Sequence, residues 1–163
     1  MTHPRHLNCY DYATVDYDRV REILGVDASG LFHRATVAAA RRVEEIVSTL
    51  HVSVGPIDVA ADVKIDIRRV VHNVTALGDR STLVELSWTA ARSAKLFPVM
   101  DAMLTVYPLS RAETQLDLVG YYHPPLGVVG NVIDAVVGHR LARASVLRFV
   151  QEVARQIESE VGR

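Results

Sequence analysis

A histidine, a tryptophan and three tyrosines are the residues of this chain whose types and positions suit chemistry on an otherwise apolar wall. His139 falls at helical spacing with Val136, Ala142 and Val146, so its imidazole shares their face. Such a group could donate to a ligand carbonyl, or act as acid or base near neutral pH. A buried histidine satisfied by a backbone carbonyl or an acidic neighbour is the plainer reading, and the sequence leaves both open. Arg140 beside it reads as a cavity counter-charge or as an arginine reaching from a helix flank to water. Trp88 alternates onto the side of its strand that carries Leu86, where it would stack on a planar ligand or fill a core. Tyr10, Tyr12 and Tyr122 carry the same ambiguity, because a buried phenol needs a partner, ligand or protein. Met100 is an adaptable filler in either account.

Other chemistries find less support. Asp134 stands three residues after Asn131, where helix capping explains it more simply than general acid or base work. Asp62 and Asp66 sit on the polar side of an alternating strand and read as a solvated face. The seven histidines form no cluster of three or more at zinc-ligand spacing, and a site assembled from distant His123 and His139 is set aside; no metal and no cofactor are expected. A Gly-x-Ser-x-Gly elbow, a Gly-x-x-x-x-Gly-Lys phosphate loop and a Gly-x-Gly-x-x-Gly dinucleotide turn are all absent. Gly127-Val128-Val129-Gly130 has the spacing of a nucleic-acid clamp without basic neighbours, and reads as close packing before a helix.

Bulk properties narrow the field further. Eighteen basic residues against nineteen acidic ones leave a formal charge of −1 at pH 7, without the positive field that would draw a nucleic acid. Arg41-Arg42 and Arg68-Arg69 read as ordinary solvated pairs. Cys9 is the one cysteine, so no internal disulfide forms and a reducing cytoplasm is the expected setting. No stretch of about 18 apolar residues and no apolar run behind Met1 to His6 suggests a membrane span or signal peptide. With 49% apolar and 23% charged residues, the 163-residue chain reads as one folded domain, residues 1–163.

The elements that must position these residues follow from periodicity. Tyr10 and Tyr12 oppose Leu7 and Cys9 in a strand from His6 to Ala13. Asp16 can cap a short helix with the stripe Tyr17, Val20, Ile23 and Leu24, ended by Gly25 in a left-handed conformation; Asp27-Ala28-Ser29-Gly30 then reads as a turn. A second helix runs from about Ala35 to Leu50. After a short strand at Val52 to Val54 and a break at Gly55-Pro56, period two takes over: Ile57, Val59, Ala61, Val63, Ile65 and Ile67 alternate with polar residues. Ala76 to Arg80 supplies a turn. Strands follow with Val84, Leu86, Trp88 and Ala90, then Met100, Ala102, Leu104 and Val106, then Thr114, Leu116, Leu118 and Tyr122 on their apolar sides, joined by connections short enough to make them antiparallel neighbours. His123-Pro124-Pro125 stops the sheet, and one long helix from Asn131 to Glu160 closes the chain, with Gly138 a place for a kink.

This order resembles the helix-grip fold, an α+β architecture in which a curved antiparallel sheet wraps a long C-terminal helix and two helices follow the first strand. Glu113-Thr114-Gln115-Leu116-Asp117-Leu118-Val119-Gly120-Tyr121-Tyr122-His123-Pro124-Pro125-Leu126-Gly127, followed by a helix, resembles the end of the SRPBCC (START-like) superfamily, which includes polyketide cyclase/dehydrase-like proteins. The resemblance implies a hydrophobic cavity between sheet and helix, in a superfamily holding both carriers and enzymes, and it selects no chemistry by itself. The expected lining is Val63, Ile65, Ile67, Leu86, Trp88 and Met100 from the first strands, with Leu104, Leu116, Leu118, Tyr122, Val136 and His139 completing it. The expected function is binding or carrying of a hydrophobic small molecule, lipid-like or polyketide-like. One alternative is a cyclase or dehydratase with His139 as acid/base. Another is a protein-interaction domain using an exposed patch at Val119 and Tyr121.

Overall fold

The computed structural model describes residues 4–49, 63–90, 99–123 and 135–162. Its elements are β1 (Arg5–Ala13), α1 (Tyr17–Thr49), β2 (Val63–Val74), β3 (Arg80–Ala90), β4 (Val99–Pro108), β5 (Thr114–His123) and α2 (Ala135–Val161). The strand expected at Val52 to Val54, the Ile57 to Asp62 half of the long alternating strand and the cap expected at Asn131 and Asp134 lie outside the described residues.

The strands form one antiparallel sheet in the order β1-β5-β4-β3-β2. Each of the last four strands pairs with its sequence neighbour, and β1 closes the other edge against β5. Thr114, Leu116, Leu118 and Tyr122 of β5 are buried on the concave face, as are Leu7, Cys9 and Ala13 of β1, while Tyr10, Tyr12 and Tyr121 are exposed on the convex one. Period-two patterning therefore chose the inner face correctly in each strand that carries it. Gly120 sits where the inner face is tightest: a Cβ there would lie 3.0 Å from Ala102 Cβ, from Asp101 O and from Met100 Sδ. A glycine at such a point allows a close backbone approach.

β2 departs from simple alternation. Its pairing with β3 shifts between Ile67 and Arg69, so one residue is extra and the phase of the strand changes there. Ile65 and Ile67 oppose Trp88 and Leu86, and beyond the irregularity Val70 and His72 oppose Val84 and Thr82. His72 therefore looks inward, where unbroken alternation would have sent Val71.

Asp16 caps α1 as the sequence suggests, its Oδ1 accepting from the Arg19 amide at 3.0 Å. The two expected helices meet without a connecting loop. Helical geometry is interrupted at Asp27 alone (φ −150°, ψ 61°), and Asp27 Oδ1 accepts from the Gly30 amide at 2.8 Å, capping the second segment. Gly25 does not supply the left-handed residue assigned to it; among the described residues that conformation belongs to Gly78 (φ 87°), in the turn before β3. The second segment starts at Ala28 and not near Ala35, because the Asp27 carboxylate provides a start that apolar spacing does not reveal.

α2 is about 40 Å long at ~1.5 Å per residue and lies against β1, β5 and α1. Val146, Phe149, Val150, Val153 and Ile157 form its buried stripe. Phe149 is central: its ring meets Trp88 edge-on at 4.5 Å between centroids and stacks near Phe32 of α1 at 6.0 Å. Polar contacts fasten the far end of α2, with Glu158 accepting from the Thr14 amide at 2.8 Å and Glu160 facing Arg34 at 3.3 Å.

Candidate functional site

The register arranges the concave face as cross-strand rows. One row runs Arg5, Tyr122, Met100, Trp88 and Ile65; the next runs Leu7, Gly120, Ala102, Leu86 and Ile67; a third runs Cys9, Leu118, Leu104, Val84 and Val70. The fourth is Asp11, Leu116, Val106, Thr82 and His72.

The first row ends in the pair suggested by the sequence. Tyr122, 2% exposed, brings its hydroxyl within 2.5 Å of Nδ1 of the half-buried His139, and the two rings lie 6.0 Å apart at an interplanar angle of 23°. A neutral imidazole accepting this phenol proton at Nδ1 carries its own proton on Nε2; an imidazolium donates to the phenol oxygen instead. Either way the ring orientation is fixed by a buried group, as a ligand-contacting or acid/base histidine requires. β5 supplies Tyr122 by strand alternation, and α2 supplies His139 one turn above Ala142.

The structure places the other sequence-predicted residues as follows. Leu86, Trp88, Met100, Leu104, Leu116 and Leu118 are all 0–1% exposed on the inner face. Ile65 and Ile67 are partly buried against that core. The side chains of Val63 and Val136 lie outside the described residues. Trp88, Met100 and Tyr122 share the row that ends beside His139, whereas Leu104 and Leu118 lie two rows and Leu116 three rows further along the strands, in the same core cluster. Ile65 and Ile67 face a different space: an open groove of about 470 Å³ between α1 and β2, walled by Leu24, Gly25, Ala28, Ser29, Ile65, Asp66, Ile67, Val70 and His72.

A polar network at that groove went unnoticed in the sequence. His72 Nδ1 lies 2.8 Å from Thr82 Oγ1, which lies 2.9 Å from the Tyr17 hydroxyl. Thr82 and Tyr17 are 0% and 3% exposed, while His72 is exposed toward the groove. Arg80 sits over the Tyr17 ring at 5.3 Å and its guanidinium holds the Asp18 carboxyl below the usual carboxylate range. The only local signal was a histidine in a β pattern; its inward direction depends on the extra residue in β2.

Cys9, at the end of the third row, faces the core, and burial foremost, with Asp117 adding to it, pushes its thiol up to about 12. It is neither a nucleophile nor a ligand at neutral pH. On the convex face Tyr10 and Tyr12 meet edge-on at 5.7 Å, and desolvation followed by Tyr10 raises Tyr12. Among the described residues no three His, Cys, Asp or Glu side chains gather as a metal site, and no helix is long and apolar enough to cross a membrane.

No family model and no curated protein matches the sequence. Solved structures do. A Thermus thermophilus protein, TTHA0849, is 12% identical over 96% of this chain and 99% of its own, with a TM-score of 0.50. The Zhui aromatase/cyclase from Streptomyces sp. R1128 is 14% identical over 98% of this chain and 96% of its own, at a TM-score of 0.46. Ara h 8.0201 is 9% identical over 97% of both chains, at 0.44. At these identities the likeness speaks to fold alone. The TTHA0849 likeness agrees with the element order and the sheet topology in giving this chain the helix-grip fold.

Proposed function

We propose that this helix-grip domain binds or carries a hydrophobic small molecule in the space between the sheet and α2, beside His139. The observation that carries the reading is the hydrogen-bonded Tyr122–His139 pair at the border of an apolar wall. An apolar surface with a few fixed polar groups is what small-molecule sites have in common. Met100 and Trp88 continue the wall from Tyr122 along one cross-strand row, and the half-buried His139 offers the ligand an oriented hydrogen-bonding atom.

Native mass spectrometry of the purified protein, set against its denatured mass, tests this directly. A discrete non-covalent adduct, diminished in a Tyr122→Phe, His139→Phe double variant, is the expected result. An unliganded mass, with no retention of lipid-like or polyketide-like compounds from a library, removes the reading.

The same pair favours one second reading, a cyclase or dehydratase in which Nε2 of His139 exchanges a proton with substrate while Tyr122 holds the ring. It requires turnover that His139→Ala abolishes with ligand affinity largely kept. An interaction domain using Val119 and the 56%-exposed Tyr121 would instead lose its partner on Val119→Asp and bind no small molecule.

A further inference from the structure

We propose that the groove between α1 and β2 is a second ligand site, taking a small apolar carbonyl compound whose oxygen accepts a hydrogen bond from Nε2 of His72. His72 lies three rows from Tyr122, roughly 20 Å along the strands at ~3.3 Å per residue, and the groove's Ile65, which shares Tyr122's row, stands three strands away from it in β2, so the groove is separate from the site beside His139.

Proton accounting fixes the donor. The phenol of Tyr17 is buried, and its hydrogen-bond partner among the described residues is Thr82 Oγ1. A buried phenol proton left without an acceptor is costly, so Tyr17 donates to Thr82. Thr82 then uses its single proton on His72 Nδ1, which therefore accepts. A neutral ring accepting at Nδ1 carries its proton on Nε2. Nε2 is then the polar atom left for the groove that His72 lines, and it has no protein partner among the described residues.

The groove's other walls set the ligand's character. Leu24, Ala28, Ile65, Ile67 and Val70 supply apolar surface, and among the described residues the lining brings no lysine or arginine that would pair with an anionic head. A neutral oxygen acceptor on a hydrocarbon body fits both. Gly25 keeps the α1 wall open: it is not in a left-handed conformation, and a Cβ built there meets nothing within 4 Å. A side chain placed at Gly25 would project into open space along this wall and would not strain the backbone.

The test is a titration of the full chain, labelled with ¹⁵N-histidine and ¹⁵N-amides, with 2-nonanone, octanoate and octyltrimethylammonium. Expected in the free protein is a His72 ring protonated at Nε2. 2-Nonanone should give a saturable shift of that signal and of the Ile67 and Val70 amides, while octyltrimethylammonium leaves the ring signal in place. His72→Phe should weaken 2-nonanone at least about fivefold, as loss of one hydrogen bond implies. Gly25→Phe and the smaller Gly25→Leu should block it, and His139→Phe should leave it unchanged. An Nε2 without a proton, no saturable shift, unaltered affinity in His72→Phe and Gly25→Leu, or tighter binding of octanoate than of 2-nonanone would each overturn the assignment. A co-purifying adduct unaffected by the Tyr122→Phe, His139→Phe double variant, with these signals intact, would count against the proposed carrier site alone.

Discussion

The Tyr122 hydroxyl and His139 Nδ1 meet at 2.5 Å across seventeen residues of chain, joining the last strand to the first described turns of α2. Tyr122→Phe keeps the ring and deletes only the donor. The expected loss is about 1 kcal/mol of stability, the net worth of one hydrogen bond, read as a lower urea midpoint at unchanged slope. The ¹⁵N signals of the His139 ring should shift in the same variant, because Nδ1 loses its buried partner.

Trp88 is the chain's one tryptophan, which makes its contact with Phe149 optically addressable. Phe149→Ala removes a 0%-exposed ring that touches both Trp88 and Phe32. A loss of about 3–5 kcal/mol is expected, with a changed emission maximum in whatever fraction still folds. Phe149→Leu should lose less and retain a native-like spectrum.

The break in α1 makes an unusual demand of glycine. Gly30 occupies a helical position, where alanine would ordinarily be favoured by about 1 kcal/mol. A Cβ at Gly30 would lie 2.1 Å from Asp27 Oδ2, so Gly30→Ala must push the capping carboxylate off the Gly30 amide. The lost cap offsets the better helix former, so Gly30→Ala is expected to bring no net gain in stability. Asp27→Ala should cost about 1 kcal/mol through the same lost cap, and the double variant should lose less than the sum of the two.

Cys9 gives a pH-dependent outcome. Its thiol is raised from an ordinary value of 9.0 to about 12 in the folded chain, chiefly by burial. The folded state thus holds a proton that the unfolded state releases first. This contribution to stability is fully present below pH 9 and is lost as the pH rises toward 12. Iodoacetamide at pH 8 should alkylate the native protein roughly a thousandfold more slowly than the denatured one, because so little thiolate is present. Equal rates would mean that Cys9 is accessible and ionised.

Much of the fold was legible because its strands are covered on one side only. Where Leu7 and Cys9, Leu86 and Trp88, or Leu116 and Leu118 alternate with polar residues, the inner face follows directly, and the α2 stripe does the same at helical spacing. His139 could be placed by that spacing, and Tyr122 by alternation, although nothing local showed that they would bond to each other. The start of the second α1 segment was hidden because it depends on a carboxylate at Asp27, inside what looks like a turn. The His72–Thr82–Tyr17 chain was hidden for another reason: its members are 10 and 65 residues apart, and Tyr17 is indistinguishable from an apolar stripe residue by spacing.

The irregularity between Ile67 and Arg69 also bears on how this chain could change over evolutionary time. On an edge strand, a gained or lost residue disturbs one neighbour, β3, and leaves the rest of the sheet as it was. In a regular strand the same event exchanges every side chain beyond it between the two faces, unless a bulge absorbs the extra residue, as it does here. Pairing the same residues without the bulge would turn His72 outward and Val71 inward, replacing a hydrogen-bonding wall with an aliphatic one, whereas removing the extra residue would leave His72 inward. The bulge thus lets the strand carry one more residue than its partner without rewriting the chemistry of the groove, and relatives that lack both the bulge and the extra residue should keep the same inward face.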